Sequence, residues 1–236
     1  MAQLGTATTP VPRPDAPRSG RLAVWDVDRT LTRSDTLLPF LRAVSGPRAW
    51  ARAVPLVAAD VVRHGGGRAE LKDVLLQRCL SGRPQAVVEE IAGRYARGVL
   101  ASGCRPDALE RWAWHQARGD TLALASASLG LYLRPLGDLL GAHHVLATEL
   151  EVDAGHLTGA RSTPNCRGAQ KARRVADLMA ALRPETVWVY SDSRSDQPSL
   201  DLADVAVRVH AIRRLTTPPE PDSAPRTAAS TSRTSP

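Results

Sequence analysis

Lysine is nearly missing from this chain: of 31 basic residues, 29 are arginine and only Lys72 and Lys171 are lysine. So strong a skew reads as a bias of composition, and it makes each surviving lysine conspicuous. Cysteine is also scarce. Cys79, Cys104 and Cys166 are odd in number and widely spaced, with no C-x-x-C pair, which excludes a disulfide framework and a zinc site and fits a reducing compartment. Aromatic residues are only 4% of the chain, too few for the stacking platform of a nucleic-acid reader. Long hydrophobic runs are missing as well. The most apolar stretch, Ala49 to Val62, is interrupted by Arg52, Pro55 and Asp60, and the first residues lack the basic-then-apolar pattern of a signal peptide. A cytoplasmic protein without stable membrane insertion is expected.

What is present is concentrated in the middle. Half of the 18 prolines fall near the two ends, between Pro10 and Pro17 and between Pro218 and Pro236. Residues 1–20 and 216–236 show no apolar periodicity, cannot offset the entropy of ordering, and read as disordered tails. The net charge of +7 shrinks once the ends are set aside, because each end carries an excess of about two arginines. The charge left on the folded part is small and scattered, so no nucleic-acid partner is expected.

Short apolar runs read as buried parallel strands: Leu22–Trp25, Thr121–Ala125, Val145–Thr148, Thr186–Tyr190 and Val205–Val209. Helical patterns at Leu129–Leu140 and Gln170–Leu182 lie between them, which implies an α/β, doubly wound parallel sheet of five strands. Glu149 to Thr158, centred on Asp153-Ala154-Gly155, reads as a small β-hairpin. The interval from Ser34 to Gly119 has no strand signal. Its helices include one with Leu71, Val74, Leu75, Arg78 and Cys79 at helical spacing, and another with Val87, Val88, Ile91, Tyr95 and Val99. This is an all-helical domain inserted after the first strand.

Chemistry-bearing residues fall at the strand ends, where α/β sheets place their ligands. Asp26-Val27-Asp28, followed by Thr30, can turn two carboxylates toward one pocket, although the same string also serves as a cap and an Asx turn. Ser126-Ala127-Ser128 offers a hydroxyl and N–H groups to an anion, or a plain helix cap. Lys171, in the first turn of a helix, opposes the helix dipole and so is not there for helix stability. Asp192 and Asp196 share a face if their segment begins a helix, an arrangement a hard divalent cation would relieve. Other candidates weigh less: His143-His144 reads as a solvated turn rather than a metal pair, Trp112 and Trp114 cannot share a helical face, Arg105 and Arg134 read as solvated, and Lys72 falls on the outer face of its helix.

Carboxylates, hydroxyl, lysine and carboxylates, in that order at the ends of one parallel sheet, resemble the four motifs of the haloacid dehalogenase (HAD) superfamily. Ser126-Ala127-Ser128, Thr148-Glu149-Leu150, Gly155-His156-Leu157-Thr158-Gly159, Asn165-Cys166 and Tyr190-Ser191-Asp192-Ser193 are similar to subfamily IB, the phosphoserine-phosphatase-like branch. The resemblance implies a Rossmann-like catalytic core over 21–33 and 119–215, a helical cap over 34–118, and phosphomonoester hydrolysis through an aspartyl-phosphate. It further implies Asp26 as nucleophile, Asp28 as acid and base, and Ser126, Ala127, Thr30 and Lys171 around the phosphoryl group. Mg²⁺ would be held by Asp26, the Asp28 carbonyl and Asp192, with Asp196 steadying its waters or Lys171. The chain departs from the branch in three places: Arg29 stands where Gly or Ser is common, Ser191 where Gly is commoner, and His210-Ala211-Ile212 where an Asn-Pro-Asp turn is usual. The Glu that meets the amino group in phosphoserine phosphatases has no counterpart except Asp35, which argues against phosphoserine. A small soluble phosphorylated metabolite is the expected substrate. A lipid phosphate met through an apolar Trp50–Val62 helix, or a non-catalytic binding role, are the alternatives.

Overall fold

The computed structural model describes residues 20–52, 55, 63, 68–210 and 213–215. The expected tails, apart from Gly20, and most of the Trp50–Val62 helix lie outside these residues.

Five parallel strands form the sheet: β1 (Arg21–Trp25), β2 (Thr121–Leu129), β3 (His144–Thr148), β6 (Thr186–Ser191) and β7 (Val205–Arg208), in the order β3-β2-β1-β6-β7. Both faces are covered, which is why the strands read as unbroken apolar runs. Leu22, Val24, Ala123, Ala125, Val187 and Val189 form one face under α6 (Ala169–Leu182) and α7 (Gln197–Leu200). On the other face Ala23, Trp25, Leu122, Leu124, Trp188 and Tyr190 meet the remaining helices. There Trp25 stacks on Tyr190 with ring centroids 3.8 Å apart. The chain runs outward from β1 through β2 to β3, then returns to β6 on the opposite side. The switch between β1 and β6 opens a crevice at their carboxyl ends, the preferred ligand position in such sheets.

Between β1 and β2 lie α1 (Leu37–Ser45), α2 (Arg68–Leu80), α3 (Gln85–Gly98) and α4 (Pro106–Ala117). Where the chain enters and leaves the insert, its two limbs pair: Thr32 bridges Cys104, and the Arg33 and Arg105 N–H groups donate to the Gly103 and Leu31 carbonyls. Helix α4 falls on the sheet side of this pairing. Trp112 packs against Trp25, Trp114 against Trp188, and His115 bonds both Asp120 and the Tyr190 hydroxyl. The two tryptophans thus both meet the sheet.

Some local expectations need correction. In α3 the buried stripe is Val88, Ala92 and Ala96, a spacing of four that puts Val87 off the inward face and leaves it exposed. Strand β2 does not stop at Ala125 but continues to Leu129 through an irregular register with β3. Ser126 therefore sits on the strand, and α5 (Gly130–Leu140) starts only after it. Arg105 is no solvated arginine: it is buried, forked onto Asp107 at 3.1 and 2.8 Å, and donates to the His210 and Arg213 carbonyls. His143 is half-buried and accepts the Leu122 N–H through Nδ1, which ties the β3 approach to β2.

The hairpin pairs β4 (Leu150–Asp153) with β5 (His156–Arg161). Ala154 and Gly155 at its tip both have positive φ, 45° and 78°, as a tight two-residue turn requires. It is joined to the insert by main chain. The Gly82 and Gln85 N–H groups donate to the Leu157 and Gly155 carbonyls, and the Leu157 N–H donates to the Arg83 carbonyl.

Candidate active site

A cavity of about 470 Å³ opens at the carboxyl ends of β1, β2 and β6, lined by Asp26, Asp28, Ser126, Lys171, Asp192 and Asp196 among others. A larger cavity of about 660 Å³ lies within the insert, beside Tyr95 and Arg94, but lacks converging carboxylates. The smaller one holds the chemistry.

Asp26 ends β1, its N–H donating to the Tyr190 carbonyl of β6. The next residues make one tight turn rather than continuing the strand, with Arg29 in the left-handed region at φ 61°. That turn is what brings two carboxylates, two residues apart, into one cavity; its cost at a non-glycine residue is about 1 kcal/mol. Arg29 is exposed at the cavity wall, where its charge draws down the Asp192 carboxyl against a larger upward push from burial.

The Lys171 ammonium bridges Asp26 Oδ1 at 2.7 Å and Asp196 Oδ2 at 2.5 Å, with all three side chains buried. Ser191, where the family commonly has Gly, uses its hydroxyl to hold Asp196 Oδ2 at 2.8 Å. Asp192 and Asp196 do not share a helical face. A short 3₁₀ turn at Arg194–Asp196 turns Asp196 toward the lysine and leaves Asp192 at the cavity. Thr30, fully buried, accepts the Asp192 N–H at 2.9 Å and donates to Asp26 Oδ2 at 3.2 Å, with Asp192 Oδ1 3.5 Å away. One hydroxyl thereby gathers both carboxylates.

Asp28 is held differently. Oδ1 accepts from the Thr36 N–H and hydroxyl at 2.7 and 2.6 Å, and Oδ2 accepts from the Ser128 hydroxyl at 2.7 Å. Thr36 is in turn fixed by the Tyr132 and Tyr95 hydroxyls. Ser126 Oγ accepts the Ser128 N–H at 3.1 Å, which leaves its own proton for a ligand.

Electrostatics follow from burial. Desolvation pushes the Asp26 carboxyl up to about 7, against the pull of Lys171. For Lys171 burial acts downward, but Asp26 and Asp196 outweigh it and hold the ammonium above its ordinary range. Asp28 is raised by burial and then by the Asp35 charge, while its hydrogen bonds to Thr36 and Ser128 pull the other way.

Among the described residues no three acidic, histidine or cysteine side chains form a ready-made metal cage. Two do converge, Asp26 and Asp192 on Thr30, both with carboxyls raised by burial. Two hard oxygen donors suit Mg²⁺, which keeps several waters; they are too few for a closed cage of Ca²⁺ type. The donor set fits magnesium.

Two residues were not placed correctly by the sequence. Thr36 was missed, having no motif around it. Lys72 is not on an outer face: it lines the cavity from α2, and its Nζ donates to the Ala127 carbonyl at 2.6 Å and Asn165 Oδ1 at 2.9 Å. Its scarcity was the available signal.

Comparison with known proteins agrees with the fold that carries this site. Protein CicA of Caulobacter vibrioides is 31% identical over 188 residues, covering 78% of this chain and 83% of that protein. A phosphoserine phosphatase of Archaeoglobus fulgidus is 25% identical over 198 residues, 82% of this chain and 54% of its own. The crystal structure of a Bordetella pertussis protein of unknown function shares the fold, with a TM-score of 0.67 at 23% identity over 78% of this chain and 87% of that one. Residues 23–201 match the haloacid dehalogenase-like hydrolase family, the span that holds every carboxylate of the cavity and its bridging lysine, and the chain belongs to that family.

Proposed function

We propose that the protein hydrolyses phosphomonoesters through an aspartyl-phosphate on Asp26. The observation that carries this reading is the unequal treatment of two carboxylates on one turn. Asp26 is held by a buried ammonium, whereas Asp28 accepts hydrogen bonds from neutral donors alone. Such a split assigns nucleophile and acid.

An Asp26 carboxylate oxygen forms a bond to phosphorus while the ester P–O bond breaks, and Asp28 delivers its proton to the leaving oxygen. Water then attacks the acyl phosphate, Asp28 takes the water's proton, and the bond between phosphorus and Asp26 breaks, releasing inorganic phosphate. Ser126, the Ala127 N–H and Lys171 would hold the phosphoryl oxygens, Lys171 matching the charge that develops there. Thr30, which the family resemblance places near the phosphoryl group, is fully buried here and acts by positioning Asp26 and Asp192. Asp26, Asp192 and the Asp28 carbonyl would hold Mg²⁺, with Asp196 acting on Lys171. Bound there, magnesium would supply positive charge that keeps Asp26 ionised and offsets the phosphoryl charge.

The leaving group faces the insert. Asp35 caps α1 through Oδ1, which accepts from the Leu37 and Leu38 N–H groups at 3.0 and 3.5 Å, and it stands at the cavity as an acid that could meet a substrate amine. A small phosphorylated metabolite is the substrate class we propose. Leu37, Leu38, Leu71 and Leu75 line the same side, with Leu38 45% exposed, which favours an apolar portion in the leaving group and keeps a lipid phosphate as the second reading.

The test is turnover of p-nitrophenyl phosphate followed by acid-quench mass spectrometry for phosphorylated Asp26. Asp26→Asn should lose the phosphoenzyme and all turnover, since an amide cannot serve as the nucleophile. Asp28→Asn should retain residual turnover, slowed about 10²–10⁴-fold. Equal rates in the two variants would refute the separate roles.

A further inference from the structure

Lys72 is a half-buried cation that the chemistry above does not use. Among the described residues it has no ion-pair partner. Its charged surroundings are all engaged elsewhere. Asp73 is paired with Arg161 at 2.6 Å, Asp28 is held by Thr36 and Ser128, and Asp35 caps α1. Arg161, from β5, adds a like charge. The ammonium instead docks on two neutral oxygens of the core, the Ala127 carbonyl and Asn165 Oδ1. The buried Thr148 hydroxyl lies 2.9 and 3.1 Å from those same oxygens. One hydroxyl proton serves one acceptor at a time, so the Lys72 ammonium completes the pairing of the other.

Two of the three ammonium donors are spent on the core. The group lines the same cavity as Asp26, Ser126 and Lys171, and Ala127 lies next to Ser126 in the chain. A partly desolvated cation without a counter-ion favours an anion placed beside it.

We propose that Lys72 is a specificity-determining residue, an ammonium carried by the insert that docks on the phosphoryl-binding edge of the core and binds the anionic end of the substrate. The substrate's negative charge then meets a cation from the insert as well as those of the core, and a neutral or poorly ionised ester gains nothing from it. The inference rests on the phosphatase reading. Burial, and after it Arg161, lowers the Lys72 ammonium to about 8, so the contribution fades as pH rises through that value.

The experiment measures competitive inhibition of p-nitrophenyl phosphate turnover by inorganic phosphate, with magnesium chloride present, from about pH 6.5 to 9. It compares the wild type, Lys72→Met and Lys72→Arg, each checked by thermal unfolding. Lys72→Met should raise the phosphate inhibition constant about tenfold near pH 7, and the gap to the wild type should narrow above pH 8. Lys72→Arg keeps its charge and should not show the weakening above pH 8 that the wild type shows. Inhibition of Lys72→Met within twofold of the wild type across the range overturns the proposal. If Lys72→Met does not fold, Lys72→Arg decides, and a weakening above pH 8 equal to that of the wild type overturns it. A wild type without turnover refutes the phosphatase reading alone. Calorimetric binding of inorganic phosphate to the same proteins then decides the role of Lys72 by the same criteria.

Discussion

Replacing Lys171 by Met removes the one ammonium between Asp26 and Asp196 while keeping the length of the side chain. Two short charge-assisted hydrogen bonds disappear, at 2.7 and 2.5 Å, in a site where Lys171 is only 4% exposed. Breaking a buried ion pair in this way costs about 3–5 kcal/mol, because the remaining charge is stranded. The loss should depend on pH, and its sign can be worked out. In the wild type the Asp26 carboxyl already stands near 7, with burial pushing up and Lys171 pulling down. Without the lysine it rises further, so between pH 5 and 8 the folded variant holds a proton that the unfolded chain has released. A folded state that binds more protons loses stability as pH rises. The Lys171 ammonium, held above its ordinary range, is charged throughout that window in the wild type. The deficit of the variant should therefore be about 3–5 kcal/mol at pH 8 and shrink to about 1–2 kcal/mol at pH 5, where protonation relieves the stranded Asp26 carboxylate. Urea unfolding followed by circular dichroism, in EDTA and at both pH values, measures the difference. An equal deficit at pH 5 and pH 8 would refute the reasoning, since it would mean that the Asp26 carboxyl is not the group that needs the lysine.

Exhaustive chelation with EDTA should abolish turnover of p-nitrophenyl phosphate and Mg²⁺ should restore it, with Ca²⁺ a poor substitute because it prefers more ligands at longer distances. Full activity after chelation removes the metal from the account. Gly159→Ala should loosen the hairpin from the insert, since Gly159 has φ +84° and a Cβ there would lie 2.7 Å from Gln77 Cα. About 1–3 kcal/mol of destabilisation is expected by thermal unfolding, and an unchanged transition would contradict the packing at α2.

The sheet and the chemistry on it were legible because they share a cause. Parallel strands covered on both faces must be apolar runs, and Asp26, Asp192 and the residues around them stand where those runs break off into the crevice. Lys171 stood out by its rarity and by its position against a helix dipole. The misplacements have a common cause too. Lys72 and Val87 were assigned faces from helical periodicity alone, yet which face is inward depends on partners distant in sequence, the hairpin and α1 for α2, and α5 and α1 for α3. Arg105 read as solvated because its acceptors at His210 and Arg213 come near it only in the folded chain. Ser126 was taken to the edge of a helix because an irregular stretch of β2 carries no sign distinct from a strand end.

The main-chain bonds between residues 82–85 and 155–157 bear on how such proteins can be recombined. Specificity in an enzyme with an inserted domain invites a transplant, in which the insert of one relative is spliced between the two limbs that pair at Thr32 and Cys104. In this chain that splice would cut the insert away from a strand to which it is bonded as if within one sheet. A chimera that carries residues 33–103 alone would present foreign side chains to Leu157 and Gly159 and lose the matched approach of Gln77. A working exchange has to move two stretches together, 33–103 and the hairpin over 150–161, and leave the rest of the host in place.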